Sequence, residues 1–274
     1  MMINLGIDAS SFQQQYYERQ LFLKRAAFIP QVTLENINDV LFSWDPGDGR
    51  LNLFSGDAIP RSAYTETLLD IGAHRTRIIK DELYAHLRKG ASLVLNRLEL
   101  KMRAVHAITT YFAKFIGEQA AANGYLSFGG KGAFNRHWDT HDVFVVQLIG
   151  RKQWKVFRPT LELPMPMHKS AAHRDDCPST PVFDGHLDAG DVLYIPRGWW
   201  HEACAFPGEE TFHVAIGVHG HRMIDYAVFV CMNVLPKSLN TDCFWVDLEK
   251  APLVFNRFTA RILNPSGTPA VEDI

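Results

Sequence analysis

The stretch NRHWDTHDVF, residues 135 to 144, sets His137, Asp139 and His141 within five positions, immediately before an apolar run. If the segment enters a strand, residues two apart share a face, so His137 and Asp139 bring an imidazole and a carboxylate to one point while Trp138 turns away. A second polar cluster follows in DAGDVLYIPRGWWHEA, where His201 stands behind the bulky Trp199 and Trp200. Two histidines and one aspartate are the donor set that occupies one face of an octahedral Fe(II) and leaves the other positions open for a co-substrate and O2. A thiolate would favour zinc, and none belongs to the set. An HxD pair alone does not decide the matter, because an aspartate capping a turn beside a surface or hydrogen-bonded core histidine has the same spacing.

Such side chains need a frame that holds them. From about residue 123 the chain reads as short apolar runs, GYLSF, DVFVVQLIG, KQWKVFRP, DVLYIP and TFHVAIGVH, punctuated by Gly, Pro and Asp. That grammar belongs to an antiparallel sandwich or barrel. Gly190-Asp191 and Pro196-Arg197-Gly198 read as turns on either side of the strand Val192 to Ile195, which puts His201 at the start of the next strand. Arg197 is then a turn residue or one that meets an acidic partner. Upstream, SSFQQQYYERQLFLKRAAF and IIKDELYAHLRKGASLVL, the latter with a glycine stop, read as helical, and SWDPGDGR as a turn. Val105, Ile108, Phe112, Phe115 and Ile116 recur at three- and four-residue steps and predict an amphipathic helix over residues 103 to 121. After about residue 221, Met223, Ile224, Ala227, Val228, Cys231, Met232 and Leu235 trace a helical apolar stripe.

The expected architecture is therefore mainly β with helical flanks, a double-stranded β-helix, or jelly roll, of eight or so strands. Its expected divisions are a mixed helical and strand region over 1–95 packing on the barrel, the barrel itself over 96–221, and a short helical extension over 222–274. The stripe around Ile224 to Cys231, with CFWVDL and PLVFNRF, carries enough apolar surface to predict a homodimer through residues 222 to 258.

At 274 residues, 47% hydrophobic and 21% charged, the chain has the composition of an ordinary globular protein. Its 28 basic and 30 acidic residues leave a net charge of −2, so no global field draws it to nucleic acid or an anionic membrane. Cys177, Cys204, Cys231 and Cys243 show no CxxC spacing and read as reduced thiols. The longest apolar stretch, YAVFVCMNVL, is about half of what a membrane span needs, and the N-terminus lacks a secretory pattern. A cytoplasmic protein is expected.

HWDTHDVFVVQLIGRKQW followed by GDVLYIPRGWWHEA resembles the JmjC and cupin-type 2-oxoglutarate oxygenases, most closely the ribosomal oxygenase group. The resemblance implies that His137, Asp139 and His201 are the metal ligands and that Lys152, in GRKQW, pairs with the far carboxylate of 2-oxoglutarate. An anion inside an apolar barrel needs such a fixed cation. Asn123 and Tyr125, in NGYLSF, fall on co-substrate-lining positions of the family pattern, although a turn asparagine and a core tyrosine read equally well. His141 is a rim or structural residue, and His213 lines the barrel or sits at its edge; the role of His219, in the same late strand, stays open. Where related sequences place a small hydroxyl residue on the strand after the last ligand, this chain has Gly217. Only 53 residues follow His221, too few for both the dimerising helices and the winged-helix domain of many ribosomal oxygenases, so their substrate is not carried over. The function implied is Fe(II)-, 2-oxoglutarate- and O2-dependent hydroxylation of a side chain on a peptide or protein. The same chemistry on a small molecule or a ribosomally made natural-product precursor is the alternative within the class. A non-catalytic cupin module holding Zn or Ni is the alternative outside it.

Overall fold

The structure is a computed structural model that describes residues 2–129, 135–220 and 230. The residues up to Gly220 form one compact unit. Its helices are α1 (Ala9–Gln15), α2 (Leu34–Phe42), α3 (Lys80–Arg88) and α4 (Arg103–Ile116). The strands are β1 (Phe22–Lys24), β2 (Leu51–Ser55), β3 (Asp57–Ile59), β4 (Thr65–Asp70), β5 (Ala73–Ile78), β6 (Ser92–Leu95) and β7 (Gln119–Phe128). They continue as β8 (Asp142–Ile149), β9 (Arg151–Phe157), β10 (Phe183–Asp188), β11 (Val192–Ile195), β12 (Trp200–Ala205) and β13 (Glu210–His219).

Eight strands make one antiparallel sheet in the order β1-β11-β8-β13-β7-β6-β2-β3, and β10-β9-β12 make a second. Between the two sheets lies an apolar cluster of Val143, Val145, Trp154, Val156, Leu187, Leu193, Ile195 and Trp199. The opposite face of the large sheet packs on α1 and α4 through Phe12, Phe112, Phe144 and Tyr194. Strand β8 is thus covered on both faces, and every residue from Asp142 to Leu148 is buried. That is why its sequence is a continuous apolar run rather than an alternating one.

Helix α1 starts where the Asp8 carboxylate accepts the Ser11 amide hydrogen, and α4 stops where Gly117 turns left-handed with φ 84°. Phe12 on α1 is fully buried, with ring centroids 5.0 Å from Tyr194, 5.3 Å from Phe115, 5.5 Å from Phe22 and 5.6 Å from Phe144. A polar tie runs beside it. The Tyr194 hydroxyl donates to Asp142 at 2.5 Å and accepts the Glu18 amide hydrogen at 2.8 Å. Arg197, the turn residue, meets its acidic partner in Glu18 at 2.6 Å. Burial pushes the Asp142 carboxyl up to about 6.

Two stretches expected to be helical are helical only in part. In the first, α1 ends at Gln15, Glu18 adopts a positive φ of 57°, and Phe22–Lys24 pairs with β11. In the second, α3 ends at Arg88, Gly90 turns with φ 91°, and the apolar SLVL becomes the fully buried β6 between β2 and β7. The first run is captured by the edge of β11 and the second by β2 and β7 together, and periodicity alone cannot tell either short apolar run from a helix. The N-terminal region therefore supplies β1, β2, β3 and β6 to the large sheet. The expected extension over 222–274 and its dimer interface lie outside the described residues, apart from residue 230. No helix among the described residues is long and apolar enough to cross a membrane.

Because Phe12 ties α1 to both α4 and the large sheet, Phe12→Ala is expected to lower the unfolding free energy by about 3–5 kcal/mol. Chemical denaturation checks this, and a loss below about 1 kcal/mol, typical of a surface site, would show that α1 is peripheral to the fold.

Candidate active site

His201 is the second residue of β12 and is buried, held in register opposite Val156 of β9. His137 and Asp139 do not lie on a strand, contrary to the condition under which their faces are read from sequence. They sit in an irregular segment ahead of β8 that main-chain bonds fix to the β11–β12 turn. His137 and His201 exchange two backbone hydrogen bonds, of 3.1 and 2.8 Å, as an isolated antiparallel bridge. The Gly198 amide donates to the Asp139 carbonyl at 2.9 Å. Gly198 has φ 83°, and a Cβ there would stand 2.6 Å from the Leu161 carbonyl oxygen, so only glycine makes this turn.

One donor atom from each of His137, Asp139 and His201 falls within a span of 4.8 Å. The His201 Nε2 is 3.6 Å from the Asp139 Oδ2, and the two imidazole centroids are 4.4 Å apart. The His137 Nδ1 lies 2.8 Å from the Asn135 carbonyl oxygen and the His201 Nδ1 lies 3.0 Å from that of Trp199. A carbonyl only accepts, so the proton resides on Nδ1 in each ring and the Nε2 lone pair is left for a metal. Burial, reinforced by His137, drives the His201 pKa well below its ordinary value. Burial raises that of Asp139, but attraction to His201, His137 and His141 outweighs it and holds the carboxyl below its usual range. A neutral imidazole beside an ionised carboxylate is the protonation state that metal binding requires.

Deeper between the sheets, Lys152 on β9 is only 2% exposed. It shares a cavity with Tyr125, Trp154, Ile195, His213 and Ala215 beneath the three donors. No carboxylate among the described residues pairs with it, and burial lowers its pKa to about 8. His213 stacks on Tyr125 with centroids 4.9 Å apart and planes within 8°, and Trp154 meets it edge-on at 5.3 Å. Burial, with Lys152 nearby, holds His213 neutral. Its Nδ1 has no hydrogen-bond partner among the described residues. Burial and the charge of Asp139 raise the Tyr125 phenol, so it stays protonated, while Asn123 bonds to it.

The cavity opens into a groove of about 810 Å³ lined by Asn123, Asn135, His141, Gly217 and His219, among others. All six residues singled out in the sequence thus face one continuous space: five line the inner cavity and Asn123 the groove, its side chain accepting the Arg97 amide hydrogen at 3.1 Å. Of the histidines left open, His213 faces inward, while His141 and His219 pair at the groove with centroids 4.8 Å apart. Inward-facing positions recur every second residue along β13, and His213 lies on that face.

Residues 97–226 match the JmjC domain family. Over this segment the chain is similar to a JmjC domain. The chain is 37% identical over 112 residues to the bifunctional lysine-specific demethylase and histidyl-hydroxylase NO66 of Caenorhabditis elegans, an alignment covering 40% of this chain and 14% of the relative. It is 34% identical over 128 residues to ribosomal oxygenase 1 of Danio rerio, covering 46% of this chain and 24% of the relative. The chain therefore spans well under half the length of these curated relatives. Among solved structures, Escherichia coli ribosomal oxygenase YcfD aligns with a TM-score of 0.61 at 18% identity, over 98% of this chain and 70% of that one. Its complex with cobalt and 2-oxoglutarate aligns with a TM-score of 0.60 at 17% identity, over 97% and 69% of the two chains. The JmjC fold here is the jelly roll expected from the strand pattern.

The buried ammonium generates a test that needs no ligand. Its pKa falls from 10.5 to about 8 on folding, so the charged form opposes the fold at neutral pH, and that penalty fades as pH rises from about 8 to 10.5. Lys152→Met is therefore expected to stabilise the ligand-free protein by on the order of 2–3 kcal/mol at pH 7, with the gain shrinking at pH 10. Thermal melts at the two pH values check it, and a destabilised variant at pH 7 would mean the ammonium has a partner in the fold.

Proposed function

We propose that this protein is an Fe(II)- and 2-oxoglutarate-dependent oxygenase that hydroxylates a side chain of a peptide or protein. The observation that carries this reading is the joint one of a 2-His-1-carboxylate cluster and, below it, a buried lysine without a carboxylate partner among the described residues. Two imidazoles and one carboxylate suit Fe(II), and they leave coordination positions free for a chelating 2-oxo acid. When bound, iron with 2-oxoglutarate supplies O2 activation, one oxygen atom ending in the new hydroxyl and the other in succinate, with loss of CO2.

The chain's own residues do the rest. His137, Asp139 and His201 hold the metal, their Nδ1–H bonds to Asn135 and Trp199 fixing both ring orientation and tautomer. Lys152 receives the far carboxylate of 2-oxoglutarate, and Tyr125, protonated, is the hydroxyl donor beside it. Val143, Val145, Trp154 and Ile195 wall the cavity against water, which strengthens the ion pair inside. Asn123 stands where cavity and groove meet, between co-substrate and target. A metal-binding cupin without turnover has no use for the buried ammonium, which is the ground for preferring the enzyme. The open groove suits a side chain presented from a polypeptide, and proteins named histidyl-hydroxylase and ribosomal oxygenase are among its relatives. A small-molecule substrate would use the same cavity.

Purified protein with Fe(II) and ascorbate is expected to convert 2-oxoglutarate slowly to succinate without a second substrate. His201→Ala should abolish this and remove metal binding while the protein stays folded; full activity in that variant overturns the assignment. Lys152→Met should bind metal normally but weaken 2-oxoglutarate by about a hundredfold or more, as when one partner of a buried ion pair is removed. The ammonium is the binding form, so wild-type affinity should fall by about tenfold per unit as pH rises above about 8. Isothermal titration on the Mn(II)-loaded protein reads both, and a change of about threefold or less would make Lys152 a surface-like charge with no part in the site. We also propose a homodimer through residues 222 to 258, supported by the apolar stripe in the sequence, and a reducing, cytoplasmic setting, supported by four cysteines without CxxC spacing. A monomeric mass at micromolar concentration would refute the dimer.

A further inference from the structure

The segment that carries His137 and Asp139 belongs to no strand, so discrete contacts must hold it. At its start are the main-chain ties already described, the Arg136–Glu202 ion pair and the buried Trp138 packed on Trp200. At its far end the contact is a side chain. The imidazole of His141 lies against Gly217 of β13, in register opposite Val143. A Cβ on Gly217 would stand 2.7 Å from both Cδ2 and Nε2 of His141, and 3.4 Å from Nε2 of His219. Contacts of 2.7 Å between carbon and a ring atom do not persist, so one side must move. Gly217 is not among the residues with positive φ, and its backbone would suit any amino acid. The reason for glycine is thus the ring. His141 fills the place of the missing side chain, with the His219 ring 4.8 Å away and tilted by 31° as its second wall.

We propose that His141, seated on Gly217, is a positioning residue that clamps the end of the donor segment to β13 and so sets the Asp139 carboxylate at the metal. It stands two residues beyond Asp139 and supplies no atom to the donor cluster. The proposal rests on the oxygenase reading only in needing the cluster to bind a metal. It also accounts for the departure at this position: a hydroxyl residue at 217 and a seated imidazole at 141 exclude each other, and this chain has taken the imidazole.

The test is a double-mutant cycle on metal affinity, with Mn(II) uptake followed by electron paramagnetic resonance and the Co(II) visible spectrum as an independent report on the ligand field. Gly217→Ala unseats the ring and His141→Ala removes it, so each single variant should weaken Mn(II) by about tenfold, the scale found for residues that orient metal ligands. Each should also shift the Co(II) spectrum, while the metal-free melting temperature stays close to that of the wild type. Since both substitutions remove one clamp, the double variant should bind no more weakly than His141→Ala alone. Wild-type affinity in either single variant overturns the clamp, as does a double variant whose loss is the product of the two. If Gly217→Ala does not fold, the double variant must recover the fold, because the clash leaves with the ring; a double variant that stays unfolded overturns the proposal. Wild-type protein that takes up neither metal would overturn the oxygenase reading and the clamp together, whereas metal uptake indifferent to both substitutions sinks the clamp alone.

Discussion

Two backbone hydrogen bonds between His137 and His201 hold the site together. They join an irregular segment to the second residue of β12, across 64 positions of sequence. Backbone bonds suit this task because they do not depend on the side chains, which remain free to point at the metal position. A bridge of one residue on each side is too short to be a sheet, so its geometry comes from what flanks it. On one side β12 is held by six register positions against β9. On the other, β8 is held between β11 and β13. The two sheets thus set the distance between the donors, and the bridge transmits it.

Below the bridge the fold carries a cost. Burying an ammonium without a counter-ion opposes folding, and Lys152 adds to it a neutral imidazole, His213, with an unsatisfied Nδ1. Two buried carboxylates, by contrast, are compensated: Asp191 accepts from Arg25 and from the Ala26 and Asp188 amides, and Glu99 accepts from Arg97 and the Ala122 amide. That contrast, a buried cation with no carboxylate partner among the described residues, is what supports the proposed role of Lys152 in receiving an anion. The structure and the chemistry agree here because the exception is local.

Most of the site was legible because its residue types are rare in combination. An imidazole and a carboxylate two apart, a late histidine after a Gly-Asp turn, and a lysine opening an apolar strand are visible without coordinates. What was not legible is where the local pattern and the tertiary structure part. His137 and Asp139 read as strand neighbours, yet they stand off the strand, since the partner that would make them one is β12 at a single point. LFLK and SLVL read as helix because each is a short apolar run, and only pairing with β11 for the first and with β2 and β7 for the second decides otherwise. Strand β10, FDGHLD, offers few apolar residues, because it is the edge of the small sheet and only Leu187 is fully buried.

The late histidines show the same limit in its sharpest form. Along β13, Val214, Ile216 and Val218 pack into the core that holds the helices, whereas His213, Ala215, Gly217 and His219 face the cavity and groove. Alternation is present, but both faces are buried, so the usual contrast of apolar and wet sides is missing. The strand therefore reads as a continuous apolar run interrupted by two histidines of unknown direction. Direction follows only from register: His213 lies opposite Tyr125 on β7, and Gly217 opposite Val143 on β8. Once those pairs are fixed, the small residues Ala215 and Gly217 have a purpose, since each side chain they lack is room for an imidazole, a metal or a substrate. On such a strand the absence of side chains shapes the cavity as much as the histidines do.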